Sequence, residues 1–135
     1  MLRWMAAALC ALMIGGCGTV GTCEDGSGGI RLFGDSVARR FLTKGISEYE
    51  QGNYVNAQIA FEGVLGNQYA TRYERMLANK YMAFMHCISG EQKLCLEHFI
   101  EVLTLNPDFE LTDAEAGHPL WGPVFKNAKA STLGK

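Results

Sequence analysis

The chain has 135 residues, of which 48% are hydrophobic and 19% charged, and its formal net charge is −2. A slightly acidic chain gives no indication of nucleic-acid binding, so no nucleic-acid partner is predicted. The length suffices for one globular domain and not for two.

The N-terminus predicts an export signal. Arg3 precedes an apolar run, residues 5–14, which is shorter than the roughly 20 apolar residues that cross a bilayer but suits the core of a cleaved signal peptide. The following Ile14-Gly15-Gly16-Cys17 resembles the lipobox of bacterial lipoproteins. This resemblance implies that residues 1–16 are removed and that Cys17 is acylated. The alternative is an ordinary secretory signal with an incidental cysteine.

A lipidated cysteine would fix the location of the protein. Two or three acyl chains hold a protein firmly at a membrane, so we expect attachment without a transmembrane helix. In lipoproteins of this type an Asp after the lipidated cysteine marks retention in the inner membrane. Gly18 stands there instead, which favours the periplasmic face of the outer membrane.

Residues 17–35 are predicted to be a flexible tether. Six glycines occur between Gly18 and Ser36, with almost no periodic apolar pattern. By random-coil scaling such a segment reaches about 20–25 Å. Cys23 lies within this tether.

Residues 36–131 are predicted to form one all-helical domain, because apolar residues recur there at helical spacing and no segment shows sustained alternation. Ser36 or Asp35 is expected to cap the first helix, and Thr71 with Glu74 forms a capping box for the third. We expect Gly66 to stop the second helix through a left-handed cap. The apolar stripe of the first helix comprises Val37, Phe41, Leu42, Ile46 and Tyr49.

An internal repeat relates the two predicted helix pairs. A shift of 38 residues places small residues, turn glycines and apolar residues of one pair on those of the other. The matched pairs are Gly45 and Ala83, Tyr49 and Cys87, Gly52 and Gly90, Ala57 and Cys95, Phe61 and Phe99, and Leu65 and Leu103. The pattern resembles the tetratricopeptide repeat, whose unit is two antiparallel helices of about 34 residues. The alternative is a helical bundle without true repeats.

A C-terminal capping helix is expected to close the second unit. Thr112 and Glu115 form another capping box, and a last short helix is predicted through Lys129. We expect the apolar residues before and within this helix to cover the end of the second unit. They are Leu120, Trp121 and Phe125.

Cys87 and Cys95 lie on either side of the second predicted turn, where an antiparallel pair brings such positions together. In an oxidising compartment they are expected to form a disulfide, with two buried free thiols as the alternative. A zinc site made of these cysteines with His86 and His98 is a further alternative. The spacing does not match a common zinc motif, so no metal site is predicted.

The sequence carries no catalytic motif, since it lacks His-Glu-x-x-His, a phosphate-binding glycine loop and a serine nucleophile elbow. His118 precedes Pro119 in a predicted turn, which favours a structural role. We therefore predict that the protein is not an enzyme and uses no cofactor.

The repeat resemblance implies a concave groove, lined by the first helix of each unit, that binds peptides or protein helices. Arg39 and Lys80 would be anchors for carboxylates. An alternative is that residues of the tether, Ile30, Leu32 and Phe33, cover part of this groove. The groove positions carried over onto this chain are Arg39, Leu42, Ile46, Tyr49, Leu77, Lys80 and Phe84.

A narrower resemblance concerns residues 37–128. The run from Phe109 to Phe125 is similar to the C-terminal motif of TssQ-like lipoproteins, which contain repeats and are associated with type VI secretion. His86-Cys87 with a second cysteine, Cys95, fits the same group. The resemblance implies an accessory role in an envelope-spanning secretion machine.

Together these features predict a lipid-anchored adaptor that binds a protein of the envelope or the secretion machinery. One alternative is a lipoprotein that binds a small molecule or a metal as an accessory to transport. A pilotin-like lipoprotein that escorts an outer-membrane protein is another.

Overall fold

The structure is a computed structural model that describes residues 36–134. Within this range the chain forms six helices and no strand, which confirms the all-helical prediction for the domain. The helices are α1 (Val37–Glu50), α2 (Tyr54–Leu65), α3 (Arg72–Ile88), α4 (Gln92–Leu105), α5 (Asp113–Ala116) and α6 (Gly122–Leu133). The predicted signal peptide and tether, with Cys17 and Cys23, lie outside the described residues.

Side-chain caps begin three of the helices. The Ser36 hydroxyl accepts a hydrogen bond from the backbone N–H of Arg39 at 3.1 Å, so Ser36 is the cap of α1. At α3 the Glu74 N–H donates to the Thr71 hydroxyl at 3.2 Å, while the Thr71 N–H donates to the Glu74 carboxylate at 2.7 Å. Thr112 and Glu115 form an equivalent reciprocal pair at the start of α5. Both predicted capping boxes are confirmed.

The turns inside the two hairpins have the same backbone conformation. Gly52 and Gly90 each adopt φ +79°, a left-handed conformation that glycine tolerates without steric cost. Each glycine N–H donates to a carbonyl three residues earlier, to Tyr49 at 3.0 Å and to Cys87 at 3.2 Å. The turn that joins α1 to α2 is therefore repeated between α3 and α4.

The end of α2 differs from the prediction. Gly66 has φ −76°, which is right-handed, so the expected left-handed cap at this glycine is wrong. Arg75 performs the capping instead, because its guanidinium donates to the carbonyls of Leu65 at 3.0 Å and Asn67 at 2.6 Å. Carbonyls at a helix end need partners, and an arginine from the next helix supplies them here.

The first hairpin packs α1 closely against α2. A Cβ atom on Gly45 would lie 2.6 Å from the Phe61 ring, so only glycine allows this approach. Ala38, Leu42 and Gly45 are the buried residues of α1. Val37 and Phe41 remain 48% and 38% exposed, so these two members of the apolar stripe lie outside the core. Small residues face the neighbouring helices because the helices cross closely.

The second hairpin buries the equivalent positions. Ala57, Phe61 and Val64 of α2 are fully buried, and so are the α4 residues 38 positions later, Cys95, Phe99 and Val102. The predicted correspondence between the two helix pairs thus extends to the positions that form the core.

The C-terminal segment covers the second hairpin. Helix α6 packs against α4, and Phe125 contacts Phe99 with ring centroids 5.2 Å apart. Trp121 and Phe125, one helical turn apart, are 8% and 4% exposed, as their predicted capping role requires. Leu120 lies in the turn before α6 and is 45% exposed, so its predicted contribution to the cap is wrong. Helix α6 also extends beyond Lys129, to Leu133.

Candidate partner-binding face

The predicted groove residues of the first unit differ in exposure. The Arg39 side chain is 65% exposed, and its Nε lies 3.9 Å from Glu74 Oε1. Ile46 and Tyr49 are half-buried. Leu42 is only 7% exposed and belongs to the core of the first hairpin, so its predicted place in the groove is corrected.

The groove positions of the second unit are largely covered. Phe84 is 2% exposed and stacks on Trp121 with ring centroids 4.4 Å apart. Lys80 Nζ lies 2.7 Å from Glu115 Oε1 and 4.8 Å from the centre of the Tyr81 ring. Lys80 therefore pairs with a carboxylate of its own chain instead of anchoring a partner, and Phe84 is a core residue. Both are corrections to the predicted groove.

The segment that contains α5 covers Lys80 and Phe84. The Trp121 indole N–H donates to the Glu115 carbonyl at 2.8 Å, which ties the indole to α5. Glu115 is the third residue of α5, and its capping box fixes it above Lys80. His118 stacks on Trp121 with ring centroids 3.4 Å apart, in keeping with a structural role. One segment thus places a carboxylate on Lys80 and an indole on Phe84.

Two carboxylates of this region are stabilised as anions. Burial raises the pKa of Glu115, but hydrogen bonds from Lys80 and Thr112 outweigh burial and hold that pKa below its usual value. Burial likewise opposes ionisation of Glu74, and hydrogen bonds from Thr71 and Ser36, with the charge of Arg39, lower its pKa. Both groups are therefore charged at neutral pH.

Three tyrosines, from the last turn of α1, the start of α2 and the middle of α3, form a cluster that remains partly accessible. Tyr49 lies between Tyr54 and Tyr81, with ring centroids 5.6 Å and 5.0 Å away. Tyr81 also stacks on the buried Phe61 at 5.3 Å, which attaches the cluster to the core. We call Tyr49, Tyr54 and Tyr81 the tyrosine cluster. Half-buried Ile46 and Leu77 pack against the same core.

The tyrosine hydroxyls are available for hydrogen bonds. Burial raises the pKa of Tyr49 to about 12, with further contributions from Tyr54, Tyr81 and Glu115. Burial also raises the pKa of Tyr81, followed by the charges of Glu115 and Glu50. Both hydroxyls are therefore protonated at neutral pH. No side chain among residues 36–134 hydrogen-bonds to them, so they are free to donate to a partner and accept from it.

Cys87 and Cys95 form a disulfide, with an S–S distance of 2.01 Å, so the pairing expected from the sequence is present. The rings of His86 and His98 stack beside it at 5.2 Å. His86 Nδ1 lies 2.7 Å from Glu91 Oε2, and His98 Nδ1 lies 2.8 Å from Asn79 Oδ1. In the zinc alternative both sulfurs would be thiolate ligands, whereas here they are bonded to each other.

Sequence reasoning missed three residues of this face. Tyr54 and Tyr81 were not among the groove positions. Tyr54 lies beside the predicted α1–α2 turn, and Tyr81 lies within the predicted α3. Glu115 was identified as a capping residue, but a local capping motif does not reveal a partner 35 residues away. Only the path of the C-terminal segment shows that its carboxylate reaches Lys80.

Among residues 36–134, no helix is long and apolar enough to cross a bilayer. Comparison with known proteins finds no matching family model, no matching curated protein and no matching solved structure.

Proposed function

We propose that this chain is a membrane-anchored adaptor of tetratricopeptide-like architecture that binds a protein partner in the cell envelope and assists type VI secretion. The observation that carries the binding role is the partly accessible tyrosine cluster, which packs against the same core as Ile46 of α1 and Leu77 of α3. The anchor rests on the lipobox-like sequence before Cys17, and the outer-membrane location rests on Gly18. The link to secretion rests on the C-terminal motif and the cysteine pattern described above.

The relation between α1 and α3 supports the repeat-like architecture. Near the start of both helices, Ser36 donates a hydrogen bond to Glu74 at 3.3 Å. Further along both helices, Tyr49 contacts Tyr81. The contacts run in the same order, so the first helices of the two hairpins lie side by side in the same direction. Together with the matching glycine turns, this is the arrangement expected of consecutive repeat units.

The composition of the face supports a protein partner. Tyrosine supplies a large apolar area at low entropic cost, together with a hydroxyl for hydrogen bonding, and it is enriched among the residues that dominate binding energy. Ile46 and Leu77 add aliphatic area beside the cluster. Such a mixed surface fits an amphipathic helix or an extended peptide.

Site-specific crosslinking in cells tests the binding role. A photoreactive residue at Tyr49 is expected to capture an envelope or secretion protein, and Tyr49→Ser is expected to weaken binding of the captured protein by 10-fold or more. The matched control is Tyr69→Ser, because Tyr69 is 79% exposed and lies on the loop between α2 and α3. Equal binding by both variants would show that the tyrosine cluster is not the site.

The anchor is tested separately with Cys17→Ser. We expect this variant to lose metabolic labelling with palmitate, to leave the membrane fraction and to reduce type VI secretion. A variant processed and located like the original protein would disprove the lipid anchor.

A further inference from the structure

A second surface lies on the side of α1 that faces away from the tyrosine cluster. Val37, Arg40, Phe41 and Lys44 line one shallow depression, and we call these four residues the basic strip. Their spacing places them along one side of the helix. At 100° per residue this side is roughly opposite the side that carries Ile46 and Tyr49.

The apolar members of the strip are exposed although they are large. Val37 is 48% exposed and Phe41 is 38% exposed. A Cβ atom on Gly63 would lie 3.1 Å from the Phe41 ring, so the ring rests on α2 at this glycine. The Phe41 ring therefore packs against α2 on one side and remains accessible to solvent on the other.

The positive charges of the strip are not neutralised within the described part of the chain. Arg40 and Lys44 are exposed, and neither forms an ion pair among residues 36–134. Glu48 is the first acidic residue of α1, and the amides of Asn53 and Asn56 bind its carboxylate at 3.1 Å and 3.4 Å. The first two turns of α1 therefore present positive charge with no acidic side chain of their own.

We propose that the basic strip docks on an anionic phospholipid surface. Cationic side chains beside exposed apolar ones are what binding at a membrane interface requires, because the charges attract acidic headgroups while the apolar groups enter the boundary layer. A second copy of the chain fits less well, since a symmetric contact would bring the Arg40 and Lys44 charges of both copies into one small interface.

The proposed lipid anchor, on which the inference rests for its setting in the cell, would favour this contact. The strip begins at Val37, and residues 18–36 separate it from Cys17 in the sequence. A linker of this length with random-coil behaviour would reach about 20–25 Å, which is comparable to the diameter of a domain of about 100 residues. The tether would hold the strip near the membrane at high effective concentration, and docking would turn the tyrosine cluster away from the lipid.

Vesicle sedimentation tests the docking without the anchor. The mature chain carrying Cys17→Ser is mixed with vesicles of phosphatidylethanolamine and phosphatidylglycerol, and in parallel with phosphatidylcholine vesicles. We expect binding to the anionic vesicles only, with weakening at high salt. Because each basic side chain near an anionic surface contributes about fivefold, Arg40→Gln with Lys44→Gln should weaken partitioning about 30-fold.

The matched control is Arg72→Gln with Lys126→Gln, which removes the same charge from exposed positions on α3 and α6. Equal loss in both double variants, or equal binding to both kinds of vesicle, overturns the inference. So does sedimentation equilibrium that shows a dimer dissociated by the Arg40 and Lys44 changes. If only the docking proposal is wrong, vesicle binding is lost but Cys17 is still labelled with palmitate. If only the lipid anchor is wrong, Cys17 is not labelled but the protein still binds anionic vesicles.

Discussion

Replacing Trp121 with alanine should remove most of the stability that the C-terminal cap provides. The indole is 8% exposed, stacks on Phe84 at 4.4 Å and donates to the Glu115 carbonyl at 2.8 Å. Truncation would leave a cavity above Phe84 and release the tie to α5. Both effects act on the native state, so they lower the free energy of unfolding.

The magnitude follows from these contacts. Truncating a buried Trp or Phe to alanine costs about 3–5 kcal/mol, which includes the cavity left behind. For a domain of this size each kcal/mol corresponds to about 4–8 °C in melting temperature, so Trp121→Ala should lower Tm by about 12 °C or more. Trp121→Phe keeps an aromatic ring but loses the hydrogen bond, and should cost about 1 kcal/mol beyond any loss of packing.

Circular dichroism during thermal and urea unfolding measures these losses. The control is Leu120→Ala, because Leu120 is the adjacent residue and is 45% exposed. We expect Leu120→Ala to change stability by less than about 0.5 kcal/mol. If Trp121→Ala melts at the same temperature as Leu120→Ala, the cap does not contribute to stability as the structure implies.

Three further perturbations test other parts of the structure. Gly45→Ala should cost about 1–3 kcal/mol in urea unfolding, because its Cβ would lie 2.6 Å from the Phe61 ring. Cys87→Ala with Cys95→Ala should lower the unfolding free energy by about 2–3 kcal/mol by removing a crosslink from the unfolded chain. Burial, followed by the charge of His86, lowers the pKa of His98, so the unfolded chain takes up a proton first as pH falls. Unfolding free energy should therefore decrease from pH 7 to pH 5, as urea titrations at each pH would show.

Each of these predictions has an internal control. Gly66→Ala should be nearly neutral, since Gly66 is right-handed and its Cβ would meet only the Glu62 carbonyl, at 3.3 Å. Reduction with a phosphine should destabilise the wild type and leave the double cysteine variant unchanged. His98→Gln should flatten the pH dependence between pH 7 and pH 5. An equal loss of stability in Gly66→Ala would contradict the steric explanation for Gly45. An absence of any effect of reduction would contradict the role of the disulfide, and an unchanged pH slope in His98→Gln would contradict the role of His98.

The parts of the fold that sequence predicted are those decided by neighbours along the chain. Thr71 and Glu74 identify a helix start because their two hydrogen bonds span three residues. Gly52 and Gly90 identify turns because few other residues tolerate positive φ. Cys87 and Cys95 could be paired because a hairpin with a short turn brings its two ends together.

The parts that sequence did not predict depend on contacts between distant segments. Lys80 looked like an exposed anchor, because nothing near it in the chain shows that Glu115 covers it. Gly66 looked like a left-handed cap, because the arginine that replaces such a cap comes from the next helix. Helical periodicity places Phe41 and Leu42 in one apolar stripe, but it does not show that the small residues Ala38 and Gly45 bring the closest packing to Leu42 and leave Phe41 exposed.

The C-terminal segment also limits which part of the face a partner can use. Displacing Trp121 from Phe84 would cost about 3–5 kcal/mol, which corresponds to a loss of about 100-fold or more in affinity. We therefore expect the proposed partner to engage the tyrosine cluster and to leave the cap in place. Trp121 is the only tryptophan after residue 16, so its fluorescence reports on the cap in a protein that begins at residue 17. Binding should leave the Trp121 emission maximum unchanged, whereas a shift to longer wavelength with exposure to an aqueous quencher would show that the partner displaces the cap.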